Sequence, residues 1–161
     1  KHQSAWDTLI FLALFPNIAY ILKKELLRLP FWGWYLWRMK MIAIDRKAGA
    51  SSIKQLIRDS KTALKDGRPI VIFPEGTRSK TGIPKEFSST GLKILCKYSP
   101  TAYVVPISIN NSWKLFKYGF FPLGLGNHLT FTVHKALSVK DLSFDEIMQQ
   151  TEQSIVEGII I

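Results

Sequence analysis

His2 and Asp7 stand five positions apart near the start of the sequence, and an imidazole beside a carboxylate is the pair that makes a competent general base. The carboxylate fixes the imidazole tautomer and stabilises the imidazolium formed once a proton is taken. On one continuous helix five positions lie ~140° apart around the axis, so the two side chains would not share a face. With Ser4 as N-cap, His2 falls in the preceding loop and Asp7 in the first turn, and the loop histidine can fold back onto the aspartate. A plainer reading stands beside it. Ser4-Ala5-Trp6-Asp7 is also a capping-box pattern, in which Asp7 binds only the helix terminus.

A second group is Ile70-Val71-Ile72-Phe73 followed by Pro74-Glu75-Gly76-Thr77-Arg78-Ser79. A buried strand runs into a loop carrying a carboxylate, a hydroxyl and a guanidinium, and active sites of α/β proteins gather at such strand ends. Arg78 offers a planar fork for a phosphate, Gly76 lets backbone approach a ligand, and Glu75 suits orienting Arg78 or binding an acceptor hydroxyl. The alternative is a surface turn with a Glu–Arg pair. Ile42-Ala43-Ile44-Asp45-Arg46 repeats the theme: Arg46 is a second candidate phosphate ligand, or half of a solvated surface pair.

A fourth stretch, Phe31-Trp32-Gly33-Trp34-Tyr35-Leu36-Trp37-Arg38-Met39-Lys40, holds three of the five tryptophans, with Arg28 upstream. Taken singly, Trp32 and Trp34 read as members of a buried aromatic cluster. Taken together with its cations, the stretch suits the headgroup level of an anionic bilayer.

These groups need a scaffold. Helices are expected over 4–14, 25–29, 31–39, 51–65, 91–98 and 143–156, and strands over 18–22, 41–44, 69–73, 103–109 and 129–134. The clearest helix, 51–65, places Ile53, Leu56, Ile57 and Leu64 on one face, with Gly67 suited to its C-terminal cap. Ser143 and Glu146 form a capping box for the last helix. Strands alternating with helices argue for an α/β fold: a central mixed, largely parallel sheet flanked by helices. No linker or repeat divides residues 1–161, so a single domain is expected.

Of the residues, 47% are hydrophobic and 21% charged, a globular balance. The formal net charge of +10 favours an anionic partner. The basic residues are spread along the chain and no recognition motif is visible, which argues against nucleic acid. The single cysteine, Cys96, lies in an apolar run and reads as a small buried hydrophobe. The three histidines do not cluster with cysteine at zinc spacing, so no metal site is expected. No apolar run reaches the ~18 residues of a spanning helix. The sequence starts at Lys1 without methionine and ends in Ile159-Ile160-Ile161, as a piece of a longer protein lacking upstream segments would.

In order, His2…Asp7, Ile44-Asp45-Arg46, Phe73-Pro74-Glu75-Gly76-Thr77-Arg78-Ser79 and Val105-Pro106-Ile107 resemble the four blocks of the glycerolipid acyltransferases, and among them the lysophosphatidate (1-acylglycerol-3-phosphate) acyltransferases. The likeness runs from position 2 to about 135. It implies that His2 is the general base and Asp7 orients it. The acceptor hydroxyl then attacks an acyl thioester directly, with no acyl-enzyme intermediate. Arg46, Glu75, Gly76, Thr77 and Arg78 would bind the glycerol-phosphate part, and Val105-Pro106-Ile107 would help form the core behind the donor site. It further implies acyl-CoA or an acyl-carrier protein as donor, a lysophosphatidate-like acceptor, no bound cofactor or metal, and attachment to the cytoplasmic face of a membrane. One departure concerns the acceptor. Many members carry a lysine just before the glycine that follows the arginine block, and Phe87-Ser88-Ser89-Thr90-Gly91 has no basic residue. Two alternatives therefore stay open: an acyltransferase for another lyso-lipid, and a basic membrane-surface binding module without catalysis.

Overall fold

The computed structural model describes residues 5–15, 17–45, 47–76, 86–116 and 128–159. Of the candidate residues, Asp7, Glu75 and Gly76 fall within these ranges, whereas His2, Arg46, Thr77 and Arg78 lie outside them. The described residues form two compact units, one from positions 1–11 and 73–161, the other from 12–72.

The 12–72 unit is built on three parallel strands. β1 (Ala19–Lys23) lies between β2 (Ile42–Ile44) and β3 (Ile70–Val71). Ile21 pairs with Ile42, and Ala19 with Ile70. Ile18, Ala19, Tyr20, Ile42, Ala43 and Ile44 are all buried, as expected of parallel strands covered on both faces. α3 (Ala50–Lys65) packs against β2 and β3. Its buried side is Ser52, Leu56, Ser60 and Ala63, while Ile53 is exposed. At ~100° per residue the helix is turned roughly 65° from the face that its largest apolar residues suggest. Small Ser and Ala side chains let it approach the sheet closely. Two polar ties hold it there: the Ser52 hydroxyl donates to the Asp45 carbonyl, and Gln55 Nε2 donates to the Ala43 carbonyl at 2.8 Å.

Arg68 fixes the ends of all three strands. Its buried guanidinium donates to the carbonyls of Asn17, Ile18, Met39 and Lys40 at 2.8–3.2 Å. Those carbonyls precede β1 and β2, and Arg68 itself precedes β3. The expected strand over 69–73 shrinks to two paired residues, both half-buried.

In the other unit the expected strand over 103–109 is two strands. β4 (Tyr103–Val104) pairs with β7 (Leu137–Ser138), and β5 (Ile107–Asn110) pairs with β6 (Thr130–Val133), both antiparallel. Pro106 sits at the break, where its missing N–H cannot extend a ladder. α4 (Ser89–Tyr98) and α5 (Phe144–Glu157) pack together over Leu92, Cys96, Leu137 and Ile147. α5 begins at the expected capping box: Glu146 N donates to Ser143 Oγ, and Ser143 N donates to Glu146 Oε2. Its far end is held to β5, where Ser108 Oγ donates to the Ile155 carbonyl and Asn110 Nδ2 to that of Gly158. The chain is thus a mixed α/β protein with a parallel sheet flanked by helices, as expected, and among the described residues the antiparallel pairings form two separate ladders. No helix among the described residues is long and apolar enough to cross a membrane.

Candidate functional site

α1 (Ala5–Leu14) carries Asp7 in its first turn. A carboxylate there is favoured by the unpaired amides and positive dipole end of the helix. Asp7 is fully buried, and Phe11, one turn further on, is buried on the same side. Phe11 meets Phe73 edge to face, with ring centroids 6.4 Å apart, and Phe131 likewise at 5.7 Å. The helix bearing Asp7 is thereby fastened to the segment bearing Glu75.

That segment turns tightly after Phe73. Gly76 N donates to the Phe73 carbonyl at 3.0 Å, and Gly76 takes φ +64°, a left-handed conformation that costs glycine nothing and other residues more. The turn points Glu75 inward, where it is buried. The Pro74 carbonyl accepts from the Ser88 amide at 2.8 Å, so the N-cap of α4 sits beside the same turn. Two of the proposed catalytic and binding residues, Asp7 and Glu75, are therefore buried carboxylates joined through one aromatic contact.

Other expected positions fare differently. Asp45 belongs to the 12–72 unit, and its Oδ1 accepts from the Lys47 amide at 3.0 Å, a local turn that leads into α3. Within Val105-Pro106-Ile107, Pro106 is buried and Ile107 half-buried, but Val105 is 46% exposed and is not part of a core. Trp34, read singly as buried, is 67% exposed.

Sequence reasoning misses a Ser–His pair. Ser108 Oγ lies 2.7 Å from His134 Nε2. Ser108 pairs with Thr132 across β5 and β6, which sets His134 diagonally on the same face. The hydroxyl is fully buried and spends its one proton on the Ile155 carbonyl, 3.0 Å away. With Ser108 also bonded to the carbonyl near the end of α5, the pair helps seat α5 on β5. No sequence signal marks it, because the pairing exists only through strand register.

A pocket of about 280 Å³ lies in the 12–72 unit, lined by Asn17, Arg38, Met39, Lys40, Asp66 and Arg68. Of the candidate residues described, Asp7, Glu75 and Gly76, none lines it. Among the described residues, no three His, Cys, Asp or Glu side chains gather as metal ligands would.

Comparison with known proteins adds to this geometry. The family model described as Acyltransferase matches residues 1–110. A 1-acyl-sn-glycerol-3-phosphate acyltransferase of Pseudomonas aeruginosa is 44% identical over 91 residues, covering 56% of this chain and 35% of the relative. One from Borreliella burgdorferi is 32% identical over 163 residues, covering 100% of this chain and 62% of the relative. The crystal structure of the 1-acyl-sn-glycerophosphate (LPA) acyltransferase PlsC from Thermotoga maritima superposes with a TM-score of 0.76 at 26% identity, covering 99% of this chain and 62% of that one. The chain thus spans no more than 62% of the length of each of these three proteins.

Proposed function

The chain belongs to the Acyltransferase family, and we propose that it acts as a 1-acyl-sn-glycerol-3-phosphate O-acyltransferase, moving an acyl group from a thioester to the sn-2 hydroxyl of lysophosphatidate to give phosphatidate. The observation that carries this reading is the buried Asp7 on α1, fastened through Phe11 and Phe73 to the turn holding buried Glu75. The acceptor is taken from the activity for which the Pseudomonas and Borreliella proteins are named.

In this scheme the His2 imidazole takes the acceptor's hydroxyl proton as the oxygen attacks the thioester carbonyl carbon. Asp7 holds the tautomer and stabilises the imidazolium. The tetrahedral oxyanion collapses, the C–S bond breaks, and the imidazolium returns its proton to the leaving thiolate. An ester and a free thiol result. General-base catalysis supplies ~10²–10⁴-fold. Holding phosphate and thioester in register supplies more, and by their resemblance to the family's blocks Arg46, Glu75, Gly76, Thr77 and Arg78 are assigned to the glycerol-phosphate part. The donor is acyl-CoA or an acyl-carrier protein, and the enzyme works on the cytoplasmic face of a membrane, a location consistent with its net charge of +10.

A second acceptor has an observation in its favour. The Ser88 amide bonds the Pro74 carbonyl, so Ser88-Ser89-Thr90, which lacks the family's lysine, adjoins the Glu75 turn. A phosphate-free lyso-lipid fits that departure. The test is a labelled acyl thioester, presented as CoA or carrier-protein conjugate, with lysophosphatidate or a phosphate-free lyso-acceptor. Labelled phosphatidate as the main product supports the first reading. Faster turnover of the phosphate-free acceptor would replace it with the second, and no product from either acceptor would reject acyl transfer.

A further inference from the structure

α2 (Trp32–Arg38) and the 3₁₀ turn before it (Lys24–Arg28) present an apolar face with no covering within the 12–72 unit. Gly33 and Leu36 mark the buried side of α2. At ~100° per residue, Trp34, Tyr35 and Arg38 occupy the opposite arc and Trp37 lies at its flank, and all four are exposed. Phe31 at the N-cap is 91% exposed and Trp37 66%, and Leu26 and Leu29 just before them in sequence are exposed too.

Two features show that this face is held outward. Gly33 lets α2 rest directly on the preceding turn, because a Cβ there would run into the Leu27 carbonyl. Phe31 takes φ +58°, a region that bulky side chains avoid, and its ring gains no burial in return.

Charge identifies the partner. Lys23, Lys24, Arg28, Arg38 and Lys40 are exposed around these rings, with Glu25 the one acid between positions 23 and 40. Arg38 and Lys40 also line the pocket of about 280 Å³, with Asp66 and Arg68. A second copy of the chain would set this cation cluster against itself. Trp and Tyr suit the headgroup level of a bilayer, and apolar rings interleaved with Lys and Arg suit a segment lying in the plane of an anionic membrane.

We propose that the 26–40 segment is an interfacial docking surface, seating Phe31, Trp34 and Trp37 among the headgroups of an anionic lipid bilayer while Arg28, Arg38 and Lys40 engage lipid phosphates. It rests on the membrane-surface reading above and is independent of acyl transfer.

The test is co-sedimentation of the chain with vesicles of phosphatidylcholine, with and without phosphatidylglycerol. Wild type is expected to bind the mixed vesicles. Trp34→Ser/Trp37→Ser should bind them at least ~10-fold more weakly. Arg38→Gln/Lys40→Gln should lose ~10-fold on mixed vesicles and bind pure phosphatidylcholine as wild type does. Because all four side chains are exposed, circular dichroism should be unchanged. Wild-type binding that neither pair weakens would overturn the surface assignment and leave the membrane reading standing. Absence of wild-type binding to both vesicle types would overturn both. Self-association in solution, abolished by the tryptophan pair, would make a second copy the occupant and overturn the proposal.

Discussion

Phe11 stands edge-on to Phe73, ring planes at 83° and centroids 6.4 Å apart. Asp7 lies one helical turn before the first ring, and Glu75 two residues after the second. Aromatic edge-to-face packing adds ~0.5–1.5 kcal/mol beyond area burial, and here it ties together the two segments that carry these carboxylates. Phe11→Ala removes contacts to both Phe73 and Phe131 and should cost ~3–5 kcal/mol, read as a lowered denaturation midpoint. Phe11→Leu should restore most of the stability and less of the activity, because a flexible aliphatic chain does not hold α1 at the same angle.

Arg68 bonds four backbone carbonyls. Arg68→Met leaves those acceptors buried and should destabilise the chain by ~3 kcal/mol or more. Arg68→Lys should recover only part, since an ammonium cannot span the same fork. Urea titration of the three proteins checks the order. Equal midpoints for Arg68→Met and wild type would contradict the clamp.

The capping box makes stability depend on acid. Hydrogen bonds from the Ser143 side chain and backbone lower the Glu146 carboxyl below its ordinary 4.5. A carboxyl depressed in the folded state stabilises it above the unfolded value and loses that contribution as pH falls through the folded one. Wild type should therefore lose part of its advantage over Glu146→Gln as pH drops below about 4.5, while the two keep a constant difference at neutral pH. Ser143→Ala should cost ~0.5–2 kcal/mol, measured by thermal unfolding at pH 7.

Burial raises the Cys96 thiol above its ordinary value, within the cluster of Leu92, Leu137 and Ile147. The thiolate is the reactive form. Iodoacetamide at pH 8 should label Cys96 slowly in the folded chain and rapidly in denaturant. Equal rates would contradict its place in the core.

Local chemistry was the legible part. The Ser143–Glu146 box needs only residues three apart, and it formed as read. The parallel α/β pattern followed from apolar runs alternating with helical periodicity. What failed depended on distant partners. Pro106 splits one apolar run between two ladders. α3 turns its small residues inward, where Ser52 reaches the Asp45 carbonyl just past β2 and Gln55 the Ala43 carbonyl within it. At the site, Asp7 and Glu75 were picked out by residue type and motif, but nothing in the sequence spacing joins Phe11 to Phe73. Trp34 read as buried from its apolar character, yet Gly33 and Leu36 take the inner side of its short helix.

The role proposed for His2 is that of a base oriented by Asp7. Its most direct test is single-turnover transfer from a labelled acyl thioester to lysophosphatidate by wild type and His2→Ala at equal protein. The rate should fall at least ~10²-fold in His2→Ala with unchanged folding. Equal rates in the two proteins would contradict it and leave Asp7 as a helix cap.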